Sequence, residues 1–370
     1  MTTLLTDDLA ARISAELVGD GSRSITGALP IDQAGPGDLS FVNVPQRLGD
    51  LAVSRAGAVV IDRKLLDNLP VLTDPPPVLL IVDDALVAFL ELLTLFRTAR
   101  VRPTIGLSPA AHTGRGVTIG EATNVLPGAT VGDDVVLGDR CDIFPGVFIG
   151  DGCRLGDDVV LFPNVVLDPE CEIGDRVIIH AAAVIGADGF GYRFEQNGTE
   201  DGGFYRKIPH LGTVRIEDDV EIGAGTTIDR GMITATVIGA GSKLDNQVMI
   251  GHNCRLGRHN AMASQVGVGG SVTTGDYVRC GGQVGIADHL RIGERSSLAA
   301  KAAVHREVPP GETHIGYPAC REVEQLRILT VQRRLPEMRR ELTELARRID
   351  ELAGRLGDES IPRVSSQPVR

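Results

Sequence analysis

Apolar residues recur at every sixth position through the middle of the chain. The register holds for twelve consecutive members from Ile119 to Ile185, and glycine follows many of them, as at Gly120, Gly138, Gly156 and Gly186. It breaks, then holds for twelve more from Ile238 to Val304, a row that includes Thr274. A helix would give recurrences at three and four and a strand at two, so a sustained period of six predicts a hexapeptide β-helix, here over residues 106–310. Three hexads make one coil. Eighteen residues therefore return the chain to the same face, one strand spacing of roughly 4.8 Å along the axis.

The flanks follow other rules. Residues 1–105 carry strand-like runs at Ala58–Ile61 and Val78–Val82, a helical stretch from Leu86 to Arg97, a turn at Pro75, Pro76 and Pro77 and a connection near Pro103, which together predict a small α/β domain. Between the two hexad runs, Ala187 to Thr213 leaves the register and holds Phe190, Tyr192, Phe194, Phe204 and Tyr205, five of the chain's 13 aromatics. An irregular excursion with clustered aromatics predicts an ordered loop facing a ligand or another subunit. The phase returns at Ile216, Ile222 and Ile228, then slips before Ile238.

After Pro318, residues Ile328, Val331, Leu335, Met338, Leu342, Leu345, Ile349, Leu352 and Leu356 are spaced by threes and fours. That is a heptad seam, which needs a partner helix and so predicts an oligomer through a helical extension over 311–358. Arginines flank it, among them Arg333, Arg334, Arg339 and Arg340; they suit either a solvated face or a docking site for an acidic partner. Residues 359–370 have the composition of a disordered tail.

Composition narrows the classes. The net charge of −12 argues against nucleic acid or an anionic membrane surface as the main partner. No apolar run approaches the roughly 20 residues of a membrane span, and no basic-then-apolar leader opens the chain, so the expectation is a soluble cytoplasmic protein. Cys141, Cys153, Cys171 and Cys254 each fall four residues after a hexad position and Cys280 on one, as small inward or corner residues do; only Cys320 lies outside the repeat. No metal ligand set is expected.

Two histidines stand out from the repetitive face. His252 and His289 are 37 residues apart, one more than two coils, and Gly270 lies 18 residues after His252. Regular stacking places the Gly270 N–H about one strand spacing from His252. A general base beside a backbone donor is what acyl transfer to an amine or hydroxyl requires, and glycine allows a substrate to approach the backbone. Asp245, seven residues before His252, has three readings: orienting the imidazole, holding a sugar hydroxyl, or solvated corner residue.

The segments Gly186-Ala187-Asp188-Gly189-Phe190-Gly191-Tyr192, Lys207-Ile208-Pro209, Thr226-Thr227-Ile228-Asp229-Arg230-Gly231 and Asp245-Asn246-Gln247, leading to His252-Asn253, resemble the UDP-3-O-acylglucosamine N-acyltransferase family over nearly the whole chain. The resemblance implies a homotrimer of left-handed parallel β-helices with sites in the clefts between subunits. It implies transfer of an (R)-3-hydroxyacyl group from acyl carrier protein to the 2-amino group of a UDP-linked, 3-O-acylated glucosamine, a step of lipid A synthesis. His252 matches the family's general base, His289 the histidine near the thioester and the donor's phosphopantetheine arm, and Gly270 the oxyanion donor. No bound cofactor is implied, because a thioester is already activated. Substrate contacts are expected from Asp245, Asn246, Phe190 and Tyr192. Of the family's uracil holder, a Phe followed at three-residue steps by Asn and Tyr, this chain keeps Phe41 but has Val44 and Arg47 in the other places; Asn43 is the neighbouring substitute and the Arg47 guanidinium could stack on a base.

Three rival readings share the fold. An acyltransferase acting on a sugar hydroxyl of UDP-N-acetylglucosamine fits less well with the large N-terminal domain and the aromatic excursion. A γ-type carbonic anhydrase needs zinc-binding histidines, and the eight histidines show no HxxxxH pair. A non-catalytic scaffold would make no use of the His252 column.

Overall fold

The computed structural model describes residues 3–72, 76–96, 102–197, 202–316 and 322–356. Pro75, Arg97, Pro318, Cys320 and the tail from Glu359 to Arg370 lie outside the described residues. Two units are distinct, Met1–Pro103 and Thr104–Arg370.

The first unit is a five-stranded sheet in the order Glu16–Val18, Val78–Val82, Ala58–Asp62, Asp38–Val42, Gly27–Ala28. The first pair is antiparallel and the rest are parallel. Both central strands are buried along their whole length, which is why they appear in the sequence as unbroken apolar runs. The helix Ala85–Phe96 covers one face with Ala85, Ala88, Phe89 and Leu92. Its start is fixed twice over: Asp84 Oδ1 accepts from the N–H groups of Leu86 and Val87, and the buried Asp62 accepts from that of Ala85.

The second unit is a parallel β-helix. Two sheets of ten strands and one of nine, each strand two to four residues long in the coils, form its three faces. The hexad residues stack inward: Val125, Ile143, Leu161 and Ile179 lie above one another on one face and are fully buried. Thr274 breaks the apolar row because its Oγ1 accepts from Asn260 Nδ2 at 2.6 Å and from Gly257 N–H at 3.0 Å. The five described cysteines are buried among the aliphatic rows, and burial pushes the Cys254 and Cys280 thiols up to about 12.

Both breaks in the six-residue register open at one corner. The strand Val184–Ala187 and, one coil later, Thr227–Asp229 belong to the same face, and each should pass straight to the next face. Instead Ile173 pairs with Ile216, 43 residues on rather than 18, and Ile216 pairs with Ile238, 22 residues on. The longer insertion forms an antiparallel hairpin, Tyr192–Gln196 with Gly203–Lys207, closed at its base by an ion pair between Lys207 and Asp188. The two insertions are bonded to each other, Leu211 N–H to Met232 O at 2.8 Å and Gly212 N–H to Gly231 O at 2.9 Å.

A 35-residue helix, Glu322–Leu356, follows, with Pro336 inside it. Its seam, from Ile328 to Leu352, is exposed in the single chain. The side chain of Leu356 lies outside the described residues.

Candidate active site

The corner that carries both insertions also carries the histidines. In the lower coils its first turn residue after glycine is an aspartate whose carboxylate accepts the N–H one coil below: Arg115 N–H donates to Asp133, and Asp133 N–H to Asp151. In the upper coils the same position is His252, then Gly270, then Asp288. This substitution changes the chemistry of the corner. The Asp288 carboxylate is 73% exposed and does not cap the coil below, so the Gly270 N–H has no hydrogen-bond acceptor among the described residues. A Cβ added to Gly270 would lie 2.8 Å from both Cε1 and Nε2 of His252.

The imidazole of His252 is held by its neighbour. Its Nδ1 is 3.0 Å from Oδ1 of Asn253, and that oxygen also accepts the Met232 N–H at 3.0 Å. Because the backbone donor fixes which end of the amide is oxygen, Nδ1 donates to it, and in the neutral ring this tautomer places the lone pair on Nε2. Met232 comes from the shorter insertion. The longer one supplies His210, 4% exposed, whose ring meets that of His252 edge to face at 5.1 Å. His210 donates from Nδ1 to Ile208 O, and burial, with the charge of His252 second, holds its pKa below the ordinary value. Gly189 makes room for both rings, since a Cβ there would lie 2.8 Å or less from each.

One open cavity of about 700 Å³ lies at this corner. His252, Gly270 and His289 all line it, together with Phe190, while Gly267, Gly285 and Ala303 form a floor nearly free of side chains. His289 N–H donates to Gly270 O at 2.9 Å, and its ring is three-quarters exposed. Tyr192 packs edge to face against Phe190 at 5.1 Å but does not line the cavity.

Asp245 and Asn246 are elsewhere. They line a second cavity of about 920 Å³ on another face, with His180, Glu221, Lys243 and Arg279. Asp245 accepts from the Ser264 hydroxyl and from the Asn246 N–H, so it does not orient the His252 ring. Seven residues along the chain lead one face around the coil, not one strand up it. Those hydrogen bonds, the Ser264 hydroxyl first, hold the Asp245 carboxyl below the usual range. Asn246 Oδ1 accepts the Ala224 N–H.

In the N-terminal unit, Phe41 is half-buried and stacked on Phe89 at 4.7 Å. Asn43 is half-buried two residues on. Arg47 is engaged by Asp32 at 3.2 Å and Asp50 at 3.0 Å, which ties its guanidinium to the domain surface. On the C-terminal helix, Arg340 pairs with Glu337 at 3.1 Å; Arg333, Arg334 and Arg339 are exposed.

The spacing of hexads does not point to three residues at this site. Asn253 was visible only as part of a motif, His210 arrives through an insertion whose length is not a multiple of six, and Asp229 lines the His252 cavity from one coil below.

Residues 22–95 match the family model described as UDP-3-O-(3-hydroxymyristoyl) glucosamine N-acyltransferase, LpxD, and residues 152–187 match that of the bacterial transferase hexapeptide, six repeats. The chain is 47% identical over 342 residues to a UDP-3-O-acylglucosamine N-acyltransferase of Burkholderia multivorans, covering 90% of this chain and 93% of the relative. A protein of the same name from Methylorubrum populi is 42% identical over 324 residues, covering 86% and 89%. Among solved structures, the UDP-N-acetylglucosamine acyltransferase of Campylobacter jejuni is similar with a TM-score of 0.42 and 21% identity, covering 55% of this chain and 69% of that one. LpxA from Acinetobacter baumannii gives 0.38 and 25%, covering 60% and 76%.

Proposed function

The chain belongs to the UDP-3-O-acylglucosamine N-acyltransferase family, and from that premise we propose that it moves an (R)-3-hydroxyacyl group from the thioester of acyl carrier protein to the 2-amino group of UDP-3-O-acylglucosamine, in lipid A biosynthesis. The observation that carries the reading is the pairing of a basic His252 Nε2 with an unengaged Gly270 N–H at one cavity. His252 takes a proton from the attacking amine. The amine nitrogen bonds to the thioester carbon, the developing oxyanion points at the Gly270 N–H, and the thiol leaves with the proton that His252 returns.

His289, exposed at the mouth of the same cavity, suits contact with the phosphopantetheine arm as it enters. Asp245 and Asn246 face away from their own chain's His252. In a homotrimer they would serve the cleft shared with a neighbour, where they would hold the sugar, and the unpartnered helical seam would find its partners. Phe41 and Asn43 are assigned to the uridine, and Phe190 to the wall of the donor's path. The chemistry asks for no metal or bound cofactor, since the donor is already activated.

The decisive test is to incubate the purified protein with UDP-3-O-acylglucosamine and 3-hydroxyacyl carrier thioesters of several lengths, beside His252→Ala. The reading expects an N-acylated product from the wild type and near-complete loss in the variant with its oligomeric state intact. A variant as active as the wild type would return the protein to the scaffold reading.

A further inference from the structure

Asp229 is a carboxylate without a partner in the wall of the His252 cavity. Its residue is only 8% exposed, and its side chain makes no hydrogen bond or ion pair among the described residues. The groups around it do not fill that need. Arg230, next in the chain, is turned away and spent on two carbonyls, Gly186 O at 2.6 Å and Pro169 O at 2.8 Å. Asp188 is negative and already paired with Lys207. His210 donates to Ile208 O, His252 donates to Asn253, and the Cys254 thiol is buried and kept neutral. An ionised carboxylate held this far from water is costly unless something in the cavity compensates it.

We propose that Asp229 is the group that selects an amine: its carboxylate receives the acceptor's 2-amino group as the ammonium ion and delivers it, deprotonated, to the side of the cavity where His252 and Gly270 act. This rests on the N-acyl transfer described above and adds what distinguishes nitrogen from oxygen as nucleophile. An amine on a sugar carries a proton for much of the time near neutral pH, as an α-amino group does. A protonated amine cannot attack. Its first N–H proton passes to the Asp229 carboxylate, giving a neutral amine and a neutral acid. The nitrogen lone pair then forms the bond to the thioester carbon, His252 Nε2 takes the second proton, the C–S bond breaks with its electron pair on sulfur, and the imidazolium protonates that sulfur. Asp229 releases its proton to water, so the sum is ammonium plus thioester to amide, thiol and one proton. A hydroxyl acceptor would bring no charge to the carboxylate and would leave it unpaired.

The test compares wild type, Asp229→Asn and His252→Ala as full-length protein. KM for UDP-3-O-acylglucosamine, KM for the acyl carrier donor, and inhibition by UDP-3-O-acylglucose, which carries a hydroxyl at the same carbon, are measured from about pH 5.5 to 8.5. D229N is expected to raise the acceptor KM by about tenfold or more and leave the donor KM unchanged. It should also bind the hydroxyl analogue as well as the wild type does, and lose the rise in acceptor KM that the wild type shows as the carboxylate is protonated. Size and melting temperature of D229N serve as the check on folding. An unchanged acceptor KM and an unchanged preference for amine over hydroxyl in D229N overturn the role of Asp229 while an active wild type leaves the transferase reading standing. A wild type that acylates nothing overturns both.

Discussion

Nδ1 of His252 is bonded to Oδ1 of Asn253, the next residue, at 3.0 Å, and the backbone N–H of Met232 fixes that oxygen in place. The proposed base is thus given its tautomer by a side chain from the same turn, steadied by an insertion from the coil below. Asn253→Ala should lower kcat by about 10- to 100-fold with little change in KM, a part of what a general base contributes. Asn253→Asp puts a negative charge against the ring, which favours the imidazolium, so the acid limb of the kcat/KM profile should move to higher pH. Steady-state profiles of both variants check this, and unaltered profiles would show that the contact does not govern the base.

Gly270 does not adopt a left-handed backbone, so alanine there tests space alone. Its Cβ would lie 2.8 Å from His252 Nε2. Gly270→Ala is expected to cost at least about 100-fold in kcat, on the scale of a lost oxyanion contact, with a melting temperature close to wild type. Gly269→Ala makes the contrast, because its Cβ would press at 2.7 Å on the backbone nitrogen of Asp288 and should reduce stability as well.

Burial raises the Asp229 carboxyl to about 6 from an ordinary 3.8, with His252 working against the shift and Asp188 adding to it. The folded chain therefore disfavours the ionised form. The penalty is absent below about pH 4, where the acid is neutral in both states, grows as pH rises through 6, and remains above it. Asp229→Asn should remove about 1 to 3 kcal/mol of that penalty and raise the melting temperature by a few degrees near pH 7.5, with no gain near pH 4. Calorimetry at the two pH values decides the matter, and a lower melting temperature at pH 7.5 would contradict it.

Thr274 stands where the hexad pattern asks for an aliphatic residue, yet two donors, one buried and one partly buried, depend on its oxygen. Thr274→Val restores the pattern and should still destabilise, by about 1 to 3 kcal/mol for each donor left without an acceptor. Thermal unfolding is the measurement. A neutral or stabilising valine would mean that water replaces the hydroxyl.

Replacing Arg333, Arg334, Arg339 and Arg340 together by glutamate should raise KM for acyl carrier protein several-fold at low salt, since the carrier is acidic and these side chains are exposed. The acceptor KM should not follow. An unchanged, salt-independent donor KM would remove the helix from docking.

The coils were legible because a period of six belongs to no other regular structure, and the column of His252, Gly270 and His289 because counting by 18 gives height along the axis. Direction around the axis is a separate coordinate. Of the three readings of Asp245, the one that orients the imidazole fails for that reason: seven residues carry it to a different face. His210 and the Met232 N–H were hidden because they arrive on insertions, whose return path depends on hairpin geometry and not on the count. Asp229 falls in step with the register, but what marks it is the absence of a partner, and a sequence does not display absences of that kind.

The hairpin leaves the stack at a shift of register between Ile185 and Ala187 and rejoins it in step: beyond a 25-residue detour, Glu172 pairs with Arg215 and Ile173 with Ile216. Each coil bonds only to those above and below, so a detour at a corner entails one loop closure, whose entropic cost grows slowly with length. Descendants of such a chain can therefore lengthen, shorten or replace the arm beside the base by insertion and deletion, in a lineage whose central prism never has to be rebuilt. New acceptor preferences would arise at this corner far more readily than on the flat faces, where every residue is answerable to two neighbours.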